Sequence, residues 1–449
     1  MSNIMRKLQV ILVVLCYLAV LLWAYATFLS KAFAYEGFTL SWPNAPTIGF
    51  LLLLALLPAF LLPLSLSKPS VLILWWLYIA AYIPSILIPP LSLTMPLEKL
   101  LPLQGWLLLC MLLLCLVPKA KSLVFGQIVL NPTVFWSLFW SVWIVCIGFI
   151  CSQGRAQMLA ANLVSLFSGG NEYTIRHAND MMVAAAGSSL AYIAGQMAYA
   201  PNAFLIAIGI IYHKRVHLSA GIIGQLFIFT LTGHKTILFS SLFLAVASLF
   251  MKRWRHSFGL AVTSAVIGAI LFCAAADAIF DTVVPSSLWT RRTLAIPGLL
   301  TGFYFEHYSQ VSHAGVGFHF SHDKAGLLPP FEIGLVYFGN EAISANANLW
   351  AEGFAELGVP GMIGFTLITA CFLWLYDSVA LRRNLELAVL LVAMPAVTLT
   401  NTAPTTVLIT FGGFAAALLL YLYPETRIDS EQEVSADRVG WPAIAANSV

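Results

Sequence analysis

Charged residues are what this sequence has least of. Only 9% of its 449 residues are charged and 60% are hydrophobic, whereas a globular domain carries about 25% charged residues. A water-soluble fold cannot bury that much apolar surface, so the composition excludes a cytosolic enzyme and a secreted module. The formal net charge of +3 is small and dispersed along the chain, which excludes a basic surface for nucleic acid.

Cysteine and metal-binding patterns are also missing. The seven cysteines lie in or beside apolar stretches, and they form neither a CxxC motif nor a cluster with histidine. The sequence therefore supports neither a disulfide framework nor a cysteine-bound metal. It also has no glycine-rich phosphate-binding loop. We expect no metal and no cofactor.

Long apolar runs fill the chain instead. Runs of about 17–25 residues are long enough to cross a bilayer as helices, and they predict an all-α polytopic integral membrane protein with about twelve spans. When both termini are placed in the cytoplasm, 14 of the 22 Lys and Arg residues fall on the inner side. This agrees with the positive-inside rule. Two short runs, 217–232 and 236–251, meet at an outer turn that contains Lys235.

The predicted organisation is one multi-span membrane domain over residues 1–423. The first apolar run is long enough to remain as an anchor rather than a cleaved signal. The polar tail, 424–449, is expected to be a disordered cytoplasmic end. Two outer loops, about 153–180 and 281–359, interrupt the pattern of short connections, and long loops of this kind are often functional.

The second outer loop has the composition of a binding site. The segment 277–356 contains eight acidic residues, three basic residues and four of the nine histidines, interleaved with aromatic residues. Aromatic faces beside carboxylates and histidines suit a sugar, and an arginine guanidinium group suits a diphosphate. We therefore expect the function to reside here.

Three basic residues stand on the predicted outer side, where the charge rule disfavours them. Arg291 and Arg292 follow a span end, so they form either a site for an anionic ligand or a solvated loop pair. Lys235 interrupts apolar sequence, where a charge is costly unless it faces a cavity or an anion. All three are candidate ligands for an anion.

Histidines of the loop are candidates for a different role. His313, His319 and His322, with Asp323 beside them, match no compact zinc spacing. A histidine here is better suited to act as a base or to donate a hydrogen bond to a sugar.

Asn348, Glu352 and Glu356 repeat every four residues, so a helix would place all three on one face. Gly358 and Gly361 would end that helix just before the next span. Carboxylates at a bilayer entrance are candidates for general base chemistry. The alternative is an interfacial helix with a solvated acidic stripe.

Together these features resemble the bacterial O-antigen polymerase and ligase superfamily over about residues 130–420. The stretch 356–361, which runs directly into a span, is similar to the loop-to-helix ending usual in that family. The turn 232–236 is similar to the family's basic turn between two short helices.

Two activities within the superfamily compete. Some polymerases carry an Arg-x10-Gly pattern in each of two periplasmic loops, and here Gly187 follows Arg176 and Gly302 follows Arg291 at that spacing. Ligases usually carry a His-Asn pair, but Ala347 stands at the histidine position. The resemblance therefore favours the polymerase over an O-antigen ligase that transfers glycan to lipid A-core. A transporter of the glycan or lipid flippase class is the alternative from outside the superfamily.

The resemblance implies a GT-C-like, metal-independent membrane glycosyltransferase in the bacterial inner membrane, with a large late periplasmic loop. It would polymerise undecaprenyl-diphosphate-linked repeat units into O-antigen, capsule or exopolysaccharide at the periplasmic face. Donor and acceptor are then both carrier-linked glycans, and a chain-length regulator and a flippase are implied partners, together with membrane lipids.

The same resemblance implies roles for individual residues. The diphosphate would be bound by Arg291, Arg292, Arg176 and Lys235. The base that deprotonates the acceptor would be Glu352, His313 or His319, in that order. The glycan would be contacted by Asn348, Glu356, Tyr304 and Phe318.

Overall fold

A computed structural model of the chain describes residues 3–126, 128, 130–152, 188–315 and 327–424, and all regular structure within them is helical. Nine helices in these residues are long and apolar enough to cross a membrane, and two further apolar helices are shorter. The predicted all-α class is confirmed, and the nine long apolar helices of the described residues are compatible with a multi-span membrane protein. One continuous 46-residue stretch, Lys235–Phe280, contains two of the predicted spans, which a 3-10 turn separates at Arg255–Ser257.

The helices of the first half follow the apolar runs. They are α1 (Asn3–Ala24), α2 (Ala45–Leu56), α3 (Pro69–Leu77), α4 (Ile83–Leu87), α5 (Leu97–Leu114), α6 (Pro132–Ser152), α7 (Ser188–Tyr199), α8 (Pro201–Ile211) and α9 (Arg215–Thr232). A π-helical turn, Tyr78–Tyr82, joins α3 to α4, so the two form one nearly continuous span.

The second half adds shorter elements between its spans. They are α10 (Lys235–Trp254), α11 (Phe258–Phe280), α12 (Ile296–Tyr308), α13 (Pro329–Phe338), α14 (Leu349–Leu357), α15 (Val359–Val379), α16 (Leu385–Thr398), α17 (Pro404–Ile409) and α18 (Gly413–Leu422). A π-helix, Ser287–Ala295, leads directly into α12.

One end of the bundle, here called the basic end, brings together basic residues from distant parts of the sequence. Each of three such side chains donates hydrogen bonds to backbone carbonyls of a neighbouring segment at 2.7–3.3 Å: Lys68 to Ala120, Arg255 to Leu66, and Arg383 to Tyr421 and Tyr423. All three belong to the set that the charge rule assigned to one side. The contacts therefore agree with the predicted segregation of charge.

The opposite end, here called the acidic end, contains Glu306, Glu332, Glu352 and Glu356. It is built by α12, α13 and α14, which all lie within the predicted outer loop 281–359. The described part of that loop is therefore largely helical and packed, which the span search did not predict. The reason is length, because the 13 residues of α12 extend about 20 Å and a span needs about 30 Å.

Close backbone packing fixes α12 against the end of the α3–α4 span. Gly298 lies so near Pro84 that an added Cβ atom would stand 2.5 Å from the Pro84 carbonyl oxygen. Helix α14 then packs against both α12 and α15, and its first residue, Leu349, donates its N–H to the Leu399 carbonyl at 3.3 Å. The acidic end is thus part of the helical core.

Candidate active site

The site begins with the cap of α14. Asn348 is fully buried, and its side-chain oxygen accepts hydrogen bonds from the N–H groups of Trp350 and Ala351 at 3.1 and 3.2 Å. Its amide group donates to the Thr301 hydroxyl at 2.7 Å. Asparagine is a favoured N-cap residue because it satisfies helix N–H groups in this way. Asn348, which the sequence predicted to contact the glycan, therefore caps α14 and joins it to α12.

Glu352 lies one turn further along α14 and is only 2% exposed. The Tyr304 hydroxyl lies 3.3 Å from Glu352 Oε1 and 3.1 Å from the Ala345 carbonyl, so its single proton is shared between two acceptors. Burial raises the pKa of Tyr304 well above its ordinary value, and the negative charge of Glu352 raises it further. The phenol therefore stays protonated and remains a donor to the carboxylate.

Burial also decides between the two interpretations of this helix. Asn348, Glu352 and Glu356 are all buried, with at most 5% of each residue exposed. A solvated acidic stripe on an interfacial helix is thereby excluded. The ring of Tyr304 is fully enclosed as well, so the role that its geometry supports is to hold the Glu352 carboxylate.

A second carboxylate, which the sequence did not single out, lies on α13. Glu332 Oε1 is 2.9 Å from His307 Nε2, and Glu332 Oε2 accepts a hydrogen bond from the Tyr308 hydroxyl at 2.8 Å. The pKa of Tyr308 is raised by burial first, and then by the charges of Glu332 and Glu352. The two carboxylates thus act on one tyrosine from two different helices.

His313 is the one predicted base histidine within the described residues. It is exposed, and its ring lies edge-on to Phe354 with the ring centres 5.4 Å apart. The next two residues donate their N–H groups to the carbonyls of Ala355 and Glu356 at 2.9 and 2.8 Å, which completes the C-terminus of α14. The structure therefore brings His313 to the same helix as Glu352.

Gly358 allows His313 to lie this close to the C-terminus of α14. Its φ of +66° belongs to the left-handed region, and an added Cβ atom would stand 3.0 Å from His313 Nε2. Glycine is the residue that adopts this conformation without a steric penalty. The predicted helix end at this position is confirmed.

Arg291 takes a different partner from the one that the sequence suggested. It lies in the π-helix, is 7% exposed and forms an ion pair with Glu36. Its guanidinium carbon is 4.3 Å from the centre of the Phe33 ring. The guanidinium group is therefore directed to the segment that follows α1.

The structure also describes two other residues that the sequence predicted to bind an anion. Arg292 and Lys235 are half-buried, and Lys235 is the first residue of α10. Three predicted site residues lie outside the described residues: Arg176, His319 and Phe318.

The residues that sequence reasoning missed are Glu332, His307, Tyr308 and Glu36. Glu332 stands in a short apolar segment that starts with two prolines, where no spacing rule marks a site. Its partners on α12 precede it by 24 and 25 residues, so only tertiary packing brings them together. No local sequence signal identifies such a pair.

The described residues contain no group of three or more His, Cys, Asp or Glu side chains arranged to hold a metal ion. The chemistry that their arrangement offers is proton transfer, from two carboxyl groups held by two phenols and one imidazole.

No family model, curated protein sequence or solved structure matches this chain.

Proposed function

We propose that this protein is a polysaccharide polymerase that joins oligosaccharide repeat units carried on undecaprenyl diphosphate. The observation that carries the proposal is the buried carboxylate of Glu352, held by Tyr304, with the Glu332, His307 and Tyr308 group beside it. This cluster lies at the end of the bundle opposite the basic end. The positive-inside rule assigns the basic end to the cytoplasm, and the acidic end then faces the periplasm of a bacterial inner membrane.

The reaction needs few components from the protein. A hydroxyl oxygen of the acceptor sugar bonds to the anomeric carbon of the donor glycan. The bond from that carbon to the carrier diphosphate breaks, and its electron pair leaves with the diphosphate. The acceptor hydroxyl proton passes to a base, and Glu352 or Glu332 is suited to take it.

Fixed charge has two tasks in this scheme. Carboxylates stabilise the positive charge that develops at the anomeric carbon, and we assign this role to Glu352. Cations stabilise the leaving diphosphate, and Arg292 and Lys235 are the half-buried candidates. Arg291 already forms an ion pair with Glu36, so the diphosphate would compete with Glu36 for its guanidinium group.

The proposal is tested by the length of the surface polysaccharide in a deletion strain, displayed as a ladder on a gel. A polymerase predicts that the glycan shortens to one repeat unit and that the plasmid-borne gene restores the ladder. Long polymer that accumulates on the lipid carrier would instead identify a ligase. An unchanged ladder would contradict both glycosyltransferase assignments and leave the transporter class.

A further inference from the structure

Two sets of side-chain hydrogen bonds, here called ties, join the same pair of helices, α12 and α13. In the first tie, His307 and Tyr308 of α12 bind Glu332 of α13 at 2.9 and 2.8 Å. In the second tie the order is reversed, because Tyr337 of α13 donates to Glu306 of α12 at 3.0 Å. Each tie contains one carboxylate and one tyrosine, so their chemistry is nearly the same.

The surroundings of the two ties differ. The first tie lies beside α14, since the centre of the Tyr308 ring is 5.9 Å from that of Tyr304, whose hydroxyl contacts Glu352. The pKa of Tyr337 is raised by burial and by Glu306, and its ring is covered by Phe303 with ring centres 4.0 Å apart. Glu306 Oε1 is also occupied by the Thr94 hydroxyl at 2.9 Å. The second tie is therefore made by two hydroxyl groups, whereas the first includes the His307 imidazole.

Exposure then separates the two carboxylates of the site. A general base must come within about 2.6–3.2 Å of the proton that it removes. Glu352 is only 2% exposed, whereas 35% of the Glu332 side chain is exposed and 12% of the His307 side chain. Of these two carboxyl groups, Glu332 is therefore the more accessible to an acceptor hydroxyl.

We propose that Glu332 is the catalytic base of this site and that His307 and Tyr308 position it, an inference that rests on the proposed function. Glu332 takes the proton of the acceptor hydroxyl as the new glycosidic bond forms and the bond to the diphosphate breaks. Glu352 remains the buried carboxyl group that Tyr304 holds. The order of candidates that the sequence suggested is thereby changed in favour of a residue that it did not name.

The hydrogen bonds explain how the carboxylate can be held and still react. His307 and Tyr308 each contact a different oxygen of Glu332. An ionised carboxylate has about four acceptor sites, so each oxygen retains a lone pair for the acceptor hydroxyl. Two separate partners also fix the plane of the carboxylate, which sets the direction of proton transfer.

The test is the initial rate of polymerisation by the purified full-length protein in lipid vesicles. The probe is a repeat unit on undecaprenyl diphosphate, and chain growth is read on a gel. Glu332→Gln keeps the size of the side chain and removes the base, so the rate should fall by about 10²–10⁴-fold with an unchanged KM for the carrier. Tyr308→Phe and His307→Gln should lower kcat less and shift the acid limb of the pH profile.

Glu306→Gln is the matched control, because it alters the other tie between the same helices. Its rate should stay within about threefold of wild type. Glu332→Asp, a second variant with the carboxylate retained, should recover part of the lost rate even if Glu332→Gln folds poorly.

Three results would overturn the inference. Glu332→Gln with the wild-type rate excludes a base at this position. Equal losses of polymerisation rate in Glu332→Gln and Glu306→Gln would show that both ties only hold α12 and α13 together. A rate in Glu332→Asp no higher than in Glu332→Gln would show that the carboxylate is not what matters. Failure of the wild-type protein to extend any chain is the separate result that contradicts the proposed function itself.

Discussion

The two ends of the bundle use polar groups in opposite ways. At the basic end, Lys68, Arg255 and Arg383 donate to backbone carbonyls, which are acceptors that cannot exchange a proton. At the acidic end, Glu332 and Glu352 accept from phenol hydroxyls. Carboxylates and imidazole can gain or lose a proton, so the second arrangement is suited to chemistry and the first to holding segments together.

The basic end also contains a buried carboxylate, which makes the comparison sharper. Asp377 is 3% exposed and accepts hydrogen bonds from the Ser70 N–H at 3.0 Å and the Ser70 hydroxyl at 2.6 Å. Both of its oxygens are thus directed to the first turn of α3. A buried acid is not by itself a sign of catalysis, because here it completes a helix N-terminus.

Among the variants that compare the two ends of the bundle, the largest effect is expected for Glu352→Gln. The variant keeps the volume and an oxygen acceptor for Tyr304, but it removes the ionisable carboxyl group from the site. We expect the polymerisation rate to fall by about 10²-fold, as for loss of a preorganised electrostatic contact. The measurement is the rate in vesicles, normalised to folded protein by gel filtration. A rate within threefold of wild type would remove Glu352 from the mechanism.

Asp377→Asn should lower the stability of the protein without lowering its activity, which is the opposite of Glu352→Gln. The amide retains one acceptor but loses the charge and the acceptor for one of the two Ser70 groups, so unfolding should become easier by about 1–3 kcal/mol. The rate per folded molecule should be unchanged. Thermal unfolding in detergent measures the first quantity and the vesicle assay the second. Lost activity at unchanged stability would break the distinction between the two ends.

Gly358→Ala tests the contact between His313 and the end of α14. Gly358 combines a φ of +66° with a ψ of −145°, which only glycine adopts readily, so the strain should cost about 1–3 kcal/mol of stability. The control for strain alone is Gly358→Ala in a His313→Ala background, because it keeps the same backbone strain and removes the imidazole. Gly358→Ala is expected to lower the polymerisation rate more in the wild-type background than in the His313→Ala background. Equal losses would exclude a role for the His313 contact.

The smallest effect concerns alkaline pH. Burial raises the pKa of both Tyr308 and Tyr337, whereas an unfolded tyrosine titrates near about 10. Because the folded values are higher, these groups contribute their full stability below about pH 10 and lose it as the pH rises further. The melting temperature should therefore fall less from pH 8 to 11 in the Tyr308→Phe, Tyr337→Phe double variant than in the wild type. The same pH dependence of the melting temperature in the wild type and the double variant would contradict the raised pKa values of Tyr308 and Tyr337.

Local patterns predicted much of the fold. Apolar runs marked the spans, and the four-residue spacing with Gly358 marked α14 and its end. The pairing of Glu332 with α12 was not predictable in this way, because it depends on a short helix that is too brief to read as a span. Arg291 shows the same limit, since its partner Glu36 is 255 residues away and no local rule connects them.

The most direct test of the central claim compares the surface polysaccharide ladders of Glu352→Gln and Asp377→Asn in the deletion strain, with both proteins at equal abundance in the membrane. The account predicts a ladder reduced to one or a few repeat units with Glu352→Gln and a wild-type ladder with Asp377→Asn. A wild-type ladder with Glu352→Gln, or shortened polymer with Asp377→Asn alone, would contradict the assignment of the chemistry to the acidic end.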